Sequence, residues 1–164
     1  MNKVHFLKTN SGKKGEGMPV VRNPQFYFKE GFCWTLLLNE YSEYQKSRIK
    51  ERTVNDVNAM ALYPFSDCEK LLKYFISLIN SYFIYHYKRN FISSNAAFQI
   101  NDARQLPVKI PSETEINYFN NLFEEAFSIK QKQFSSAISE EKADELLEPI
   151  QKKLDKIVEN LYSI

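Results

Sequence analysis

The stretch LLKYFISLINSYFIYHY, Leu71 to Tyr87, is the most apolar window of the 164-residue chain, and its reading decides the fold. Lys73, Ser77, Asn80 and Ser81 interrupt it at i, i+4, i+7 and i+8, which is one stripe of a helix. The window is shorter than the ~20 apolar residues a membrane span needs, so no membrane partner is expected. The pattern predicts a buried helix, from about Cys68 to Lys88, with one wet or partner-facing edge. Ser66 or Asp67 can cap it, with Glu69 in its first turn. Lys88 and Arg89 stand at its end, so the charges suit the helix dipole at both ends.

On the N-terminal side, Gln25 to Leu38 is aromatic and aliphatic, with a turn signal at Lys29-Glu30-Gly31. That predicts two short strands joined around Gly31. YQKSRIKERTVND, Tyr44 to Asp56, is polar and basic, with Lys46, Arg48, Lys50 and Arg52 at alternate positions. Ala59–Phe65 predicts a short strand that stops at Pro64. Val4–Leu7 predicts another, followed by the loop TNSGKKGEG with Lys13 and Lys14 at its tip; three of the four glycines fall there.

On the C-terminal side, FISSNAAFQINDARQLPVKIP predicts a loop, a short turn and then a strand bounded by Pro107 and Pro111. Two helices close the chain, from about Thr114 to Phe134 and from about Ser139 to Tyr162. The second repeats apolar residues at Leu146, Leu147, Ile150, Leu154, Ile157, Val158 and Leu161 with charge on its other face. Pro149 inside it predicts a kink there or a start near Glu148. The fold class is therefore α+β: a compact mixed domain with short strands around a buried helix, followed by a C-terminal helical hairpin. The segments are a basic stretch 1–21, an α+β core 22–112 and a hairpin 113–164. The hairpin packs on the core or docks a partner domain. Trp34, Phe75, Ile79 and Leu106 are expected in the core, and of the neighbours Tyr27 and Phe28 one should face inward and the other outward.

With 43% hydrophobic residues, 13 Phe, 10 Tyr and one Trp, the chain can bury one domain's core. Four glycines are too few for folds built on Gly-rich nucleotide loops. Cys33 and Cys68 sit in apolar segments without metal-ligand spacing, which suits reduced core cysteines of a cytosolic protein. The first thirty residues lack an uninterrupted apolar core, so a cytoplasmic location is expected. The net charge of +2 hides an asymmetry. Residues 1–110 carry 16 Lys/Arg against 9 Asp/Glu, a net of +7, while 111–164 carry 6 against 11, a net of −5. Such a split suggests that the first part faces a polyanion and the second does something else.

Catalytic chemistry finds little purchase. Asn23-Pro24-Gln25-Phe26 is one substitution from the Asn-Pro-Pro-Tyr/Phe loop of adenine-specific DNA methyltransferases. Gln25 replaces the second proline, however, and no Gly-rich cofactor loop accompanies it. His5 and His86 are far apart, and no nucleophile–base pair or metal set can be singled out. His86 reads as a helix-end residue, and Glu124-Glu125 and Glu140-Glu141 as helix-surface carboxylates. No catalytic residue and no metal site is therefore assigned. Nucleic-acid binding has more support. Lys13, Lys14, Lys46, Lys50, Lys88 and Arg89 suit phosphates, and Arg48, Arg52, Asn95, Gln99 and Arg104 suit base edges. Composition alone equally allows these to be ordinary solvated charges.

Four segments in order resemble the TaqI-like C-terminal specificity domain of adenine-specific DNA methyltransferases, found in restriction-modification enzymes and phage-defence methylases. They are RNPQFYFKEGFCWTLL, LLKYFISLINSYFIYHY, NAAFQINDARQLPVKIP and KKLDKIVENLYSI, covering most of residues 22–162. The family's arginine and Phe-Asp strand between the first two is matched only by Arg48 and Asp56, without a clear Phe. The resemblance implies a target-recognition domain that holds double-stranded DNA. It also implies a catalytic domain, in the same or a companion chain, which binds S-adenosylmethionine; this chain itself would carry no cofactor and no enzyme activity. The competing expectation is a helical protein-interaction module whose basic face is incidental.

Overall fold

The computed structural model describes residues 24–38, 41–55 and 58–163. The expected strand Val4–Leu7 and the loop of Lys13 and Lys14 lie outside them. Within them, three strands form an antiparallel sheet of order β2-β1-β3: β1 (Gly31–Thr35), β2 (Ser47–Lys50) and β3 (Ala59–Leu62). Five helices follow: α1 (Leu72–Ile79), α2 (Tyr82–Tyr87), α3 (Ile100–Ala103), α4 (Glu113–Phe134) and α5 (Glu140–Tyr162). A 3-10 turn, Pro24–Phe26, precedes β1, a longer 3-10 segment, Ser66–Leu71, precedes α1, and a π-helical stretch, Lys88–Ile92, continues α2. The architecture is the expected α+β one.

The sheet departs from expectation at both of its first strands. Gln25–Leu38 yields one strand, because Pro24–Phe26 coil into a 3-10 turn and Phe28 takes a left-handed φ of 58° before β1 begins. Phe28 is 65% exposed and Tyr27 only half-buried, so neither faces the core fully. Gly31 makes no hairpin turn. It is the first residue of β1, where any Cβ would collide with the Leu62 carbonyl of β3. The basic stretch supplies β2, paired with β1 in the register Phe32↔Ile49, Cys33↔Arg48 and Trp34↔Ser47. β3 pairs on the other side, with Cys33 opposite Ala61 and Trp34 opposite Met60.

Side chains alternate along a strand, so Phe32 and Trp34 point to one face and Cys33 to the other. The inward pair packs on Ile76 and Ile79 of α1 and on Phe98. Leu71, Tyr74 and Leu78 present a second stripe to the hairpin, meeting Ile116, Phe119 and Leu122 of α4 and Leu154, Val158 and Leu161 of α5. At 100° per residue these two stripes are distinct faces of α1, with Phe75 between them in contact with both clusters. A helix covered by a sheet on one face and a hairpin on another needs the near-continuous apolar run that marks Leu71–Tyr87, and its Lys73 edge is left to solvent. Trp34 and Ile79 are buried core residues as expected, while Phe75 and Leu106 are half-buried where the two clusters meet.

The single helix expected over 68–88 is broken at Asn80-Ser81, and the polar stripe is the reason. Ser81 is fully buried as the N-cap of α2, its hydroxyl accepting from the Ile84 N–H at 3.3 Å. The Asn80 carboxamide turns away to the sheet. Its Oδ1 accepts from the Ser47 N–H at 2.7 Å and its Nδ2 donates to the Ser47 carbonyl at 2.9 Å. The Asn80-Ser81 end of the edge expected to be wet is thus spent on internal contacts, while Lys73 stays at the surface in an ion pair with Glu124 of the hairpin. The first turn also differs: Phe65, not Ser66 or Asp67, holds the N-cap position, without a side-chain bond.

The hairpin begins where expected, to within a residue. Ser112 and Glu115 form a reciprocal capping box at α4, and Ser139 caps α5. Helix α5 runs through Pro149, which is exposed, so the helix neither stops nor restarts at Glu148. Pro107–Pro111 is not a strand. Tyr74 donates from α1 to the Lys109 carbonyl, Tyr162 donates to the Pro107 carbonyl, and Lys109 Nζ donates to the Leu161 carbonyl at 2.8 Å. Side chains thus satisfy this extended backbone, which two prolines keep from a ladder, and a cation closes the C-terminal end of α5.

Candidate nucleic-acid interface

The register places Arg48 beside Cys33 and Ala61 on the sheet face turned away from α1. Lys46, two residues earlier, follows the same alternation. Both are exposed and make no ion pair among the described residues. Arg52, beyond the end of β2, is also exposed but is engaged by Glu30 at 2.9 Å. Such a pair in water is worth well under 1 kcal/mol and would yield readily to a phosphate.

Lys50 and Lys88 do not belong to this surface. Lys50 is 2% exposed, and its ammonium donates to the carbonyls of Lys29 (2.7 Å), Glu51 (3.1 Å) and Thr53 (2.8 Å). Its three donors are therefore saturated, and Tyr63, itself stacked on Phe26, lies against it at 5.3 Å. It ties the loop before β1 to the loop after β2. Lys88 is 5% exposed and donates to the Asn95 carbonyl. Burial, with Arg89 beside it, holds its pKa below the ordinary lysine value against the opposing pull of Asp102.

Lys88 does, however, help line a cleft of about 210 Å³ that brings three of the expected residues together. Lys88, Arg89 and Asn95 meet there with Gln45, Tyr85, Leu38 and Ala96. The loop carrying Asn95 is held by a bridge between Leu37 and Ala97 and by the Phe98 N–H, which donates to the Leu36 carbonyl at 2.8 Å. Trp34 Nε1 donates to the Phe98 carbonyl at 2.8 Å. Arg89 donates to the Tyr85 hydroxyl at 3.0 Å and lies 5.8 Å from the centre of its ring. Gln45, 5% exposed, donates to the Thr35 carbonyl at 2.8 Å. The π-helical stretch starts at Lys88, and such irregular turns recur at functional sites. Gln45 and Tyr85 are functional candidates that sequence reasoning missed; only Gln45's place beside Lys46 signals it.

The other expected residues lie apart. Gln99 is the N-cap residue of α3, where its N–H donates to Asp102 at 2.8 Å. Arg104 follows the same helix, exposed, with Asn101 at 3.2 Å.

A polar junction joins this region to the hairpin. Asp155 of α5 accepts from the Tyr82 N–H (2.8 Å), from Gln151 (3.1 Å) and from the Tyr44 hydroxyl (3.2 Å), and Gln151 also donates to the Asn80 carbonyl (3.1 Å). Burial raises the Asp155 pKa although these three bonds favour its charged form. Burial, then the neighbouring Asp155, pushes Tyr44 up to about 12. His86 lies in the last turn of α2, its ring 3.9 Å from that of Tyr82.

Among the described residues no cluster of three or more His, Cys, Asp or Glu is placed to hold a metal. Cys33 is buried and Cys68 half-buried, both as free thiols. No described helix is long and apolar enough to cross a membrane. No protein-family model matches the chain, and no curated protein matches it either, so the functional reading rests on the residues themselves.

Proposed function

We propose that this chain is a DNA sequence-recognition domain that positions double-stranded DNA for an adenine-specific methyltransferase catalytic domain, carried in the same or a companion chain. One observation carries this reading. Lys46 and Arg48 stand exposed on the outer sheet face, without carboxylate partners among the described residues, while the acidic hairpin packs on a different face of α1. Cations held on a rigid sheet meet phosphates at little entropic cost, and duplex DNA rewards them by counterion release. Arg52, beyond the end of β2, adds a third exposed cation, and Arg89 lies in the cleft that Gln45 also lines. S-adenosylmethionine and the methyl transfer belong, on this reading, to the catalytic domain.

Titration of a labelled duplex across 20–200 mM salt tests it, those concentrations being roughly the range over which phosphate contacts weaken most visibly. The double substitution K46A/R48A should flatten the slope of log K against log salt by about 2, about 0.9 for each phosphate that the variant no longer neutralises. An unchanged slope removes these residues from any interface. No duplex binding at the lowest salt favours the other reading, a protein-interaction module working through the hairpin, where Phe127 and Phe134 are exposed on α4.

A further inference from the structure

We propose that the cleft between Leu38 and Gln45 on one side and the π-helical stretch on the other is a receptor for a single unstacked guanine. The proposal rests on the DNA-binding reading only for the source of that base. The two buried lysines differ in a way that points to a ligand. Lys50 gives all three donors to carbonyls. Lys88 gives one, to Asn95, and its other two have no acceptor among the described residues. An ammonium taken out of water with unused donors is costly unless something else brings acceptors. The cleft it lines offers no carboxylate, since its polar walls are Gln45, Arg89 and the Ser94–Asn95 loop.

The remaining groups narrow the ligand. Lys88 and Arg89 are donor-only, so the edge that meets them must be acceptor-only. Guanine presents two adjacent acceptors, O6 and N7, whereas adenine places an amino donor beside its N7. Gln45 spends its Nε2 on Thr35, which leaves its Oε1 as an acceptor for a ring N–H. The Asn95 carboxamide makes no hydrogen bond among the described residues and can serve the same edge. Leu38, Ala96 and the Tyr85 ring supply apolar walls for a planar ring. The volume, about 210 Å³, is below the roughly 300–1,000 Å³ of sites for drug-sized ligands and suits one heterocycle. Because Lys88 is recessed, a base in an intact stack does not reach it; the base has to leave the duplex, as in enzymes that read an extruded nucleotide.

The test uses the full chain and labelled duplexes that carry either guanine or adenine opposite an abasic site, beside the fully paired duplex. An unpaired base is the cheapest to extrude, so unpaired guanine should bind about tenfold tighter than unpaired adenine, the low range of a bidentate contact. Lys88→Met should abolish that preference while leaving affinity for the fully paired duplex within about twofold. Asn95→Ala, at an exposed loop position, should reduce the preference and guards against misfolding of the first variant. Titrations with free GMP and AMP separate the sources. GMP binding without any duplex binding would keep the pocket and discard the DNA reading. Duplex binding with no guanine preference, in either the unpaired or the free-nucleotide arm, overturns the pocket and leaves the DNA reading standing. Silence in all arms overturns both.

Discussion

Lys50→Met separates a lysine that builds the fold from one that binds phosphate. The substitution keeps the aliphatic stem and removes the ammonium that joins the Lys29, Glu51 and Thr53 carbonyls. A hydrogen bond contributes about 0.5–1.5 kcal/mol net. The Glu51 and Thr53 carbonyls keep donors in the Thr53 and Phe28 N–H groups, so the three lost bonds count at about 1 kcal/mol each, roughly 3 kcal/mol together. Relief from desolvating the charge offsets about 1 kcal/mol of that. A net loss of about 2 kcal/mol lowers the Tm by roughly 4–8 °C in a chain of this size. Trp34, the single tryptophan and 2% exposed beside this strand pair, reports unfolding in urea by fluorescence. The folded variant should keep its duplex affinity and its salt slope. A Tm within 2 °C of the parent, which is about 0.5 kcal/mol on the same scale, refutes the structural role. A slope flattened by about 1 would return Lys50 to the phosphate contacts.

Asn80→Ala leaves the Ser47 N–H and carbonyl without partners and should cost about 2–4 kcal/mol, read as a fall in the urea midpoint at constant m-value. Pro149→Ala should stabilise by about 1–2 kcal/mol, since it restores a helical N–H and removes a ring clash at an exposed position, against a small gain in unfolded-chain entropy. Calorimetry showing no rise in Tm would mean that α5 already relaxes around the ring. The Asp155 carboxyl is harder to ionise folded than unfolded, so the folded state binds the extra proton. Its contribution to stability is therefore present at low pH and is lost as pH rises from the ordinary 3.8 through the raised folded value. Asp155→Asn should flatten that part of the stability–pH curve; a curve that keeps its slope would show that the Tyr82, Gln151 and Tyr44 bonds outweigh burial.

The hairpin was legible because its boundaries are written locally: Ser112 with Glu115 three residues on, Ser139 before an acidic turn, and a clean 3.6-residue apolar period in α5. The buried helix was legible as buried but not as broken, because Asn80 and Ser81 fit a helical stripe as well as they fit a cap and a side-chain bridge. Only the position of β2 thirty-three residues away decides between these, and sequence spacing does not carry that contact. β2 itself was hidden because Ser47-Arg48-Ile49-Lys50 has one apolar residue, and its partner strand, not its composition, makes it a strand. For the site, the alternation of Lys46, Arg48 and Lys50 told which residues share a face but not that a carbonyl cage closes over one end of it. Lysine is almost never fully buried, so sequence reasoning assigns both buried lysines to the surface by default. The cleft is drawn from four separate stretches and has no linear signature beyond Lys88-Arg89.

The Asn80 carboxamide has a consequence for how copies of the molecule behave toward one another. In the β1–β2 ladder the hydrogen-bonded pair is Cys33 with Arg48, so Ser47 turns its N–H and carbonyl outward from the sheet. An outward row of unpaired backbone groups invites a strand from another chain. Asn80 fills the first of those places with a side chain that cannot be extended, and Lys46 and Arg48 add like charge to any approaching copy. Among the described residues the sheet is thereby capped on its β2 side by Asn80, the residue that ends α1. Removing it opens a growth edge as well as loosening the fold, so Asn80→Ala is the variant in which aggregation on storage should first be seen.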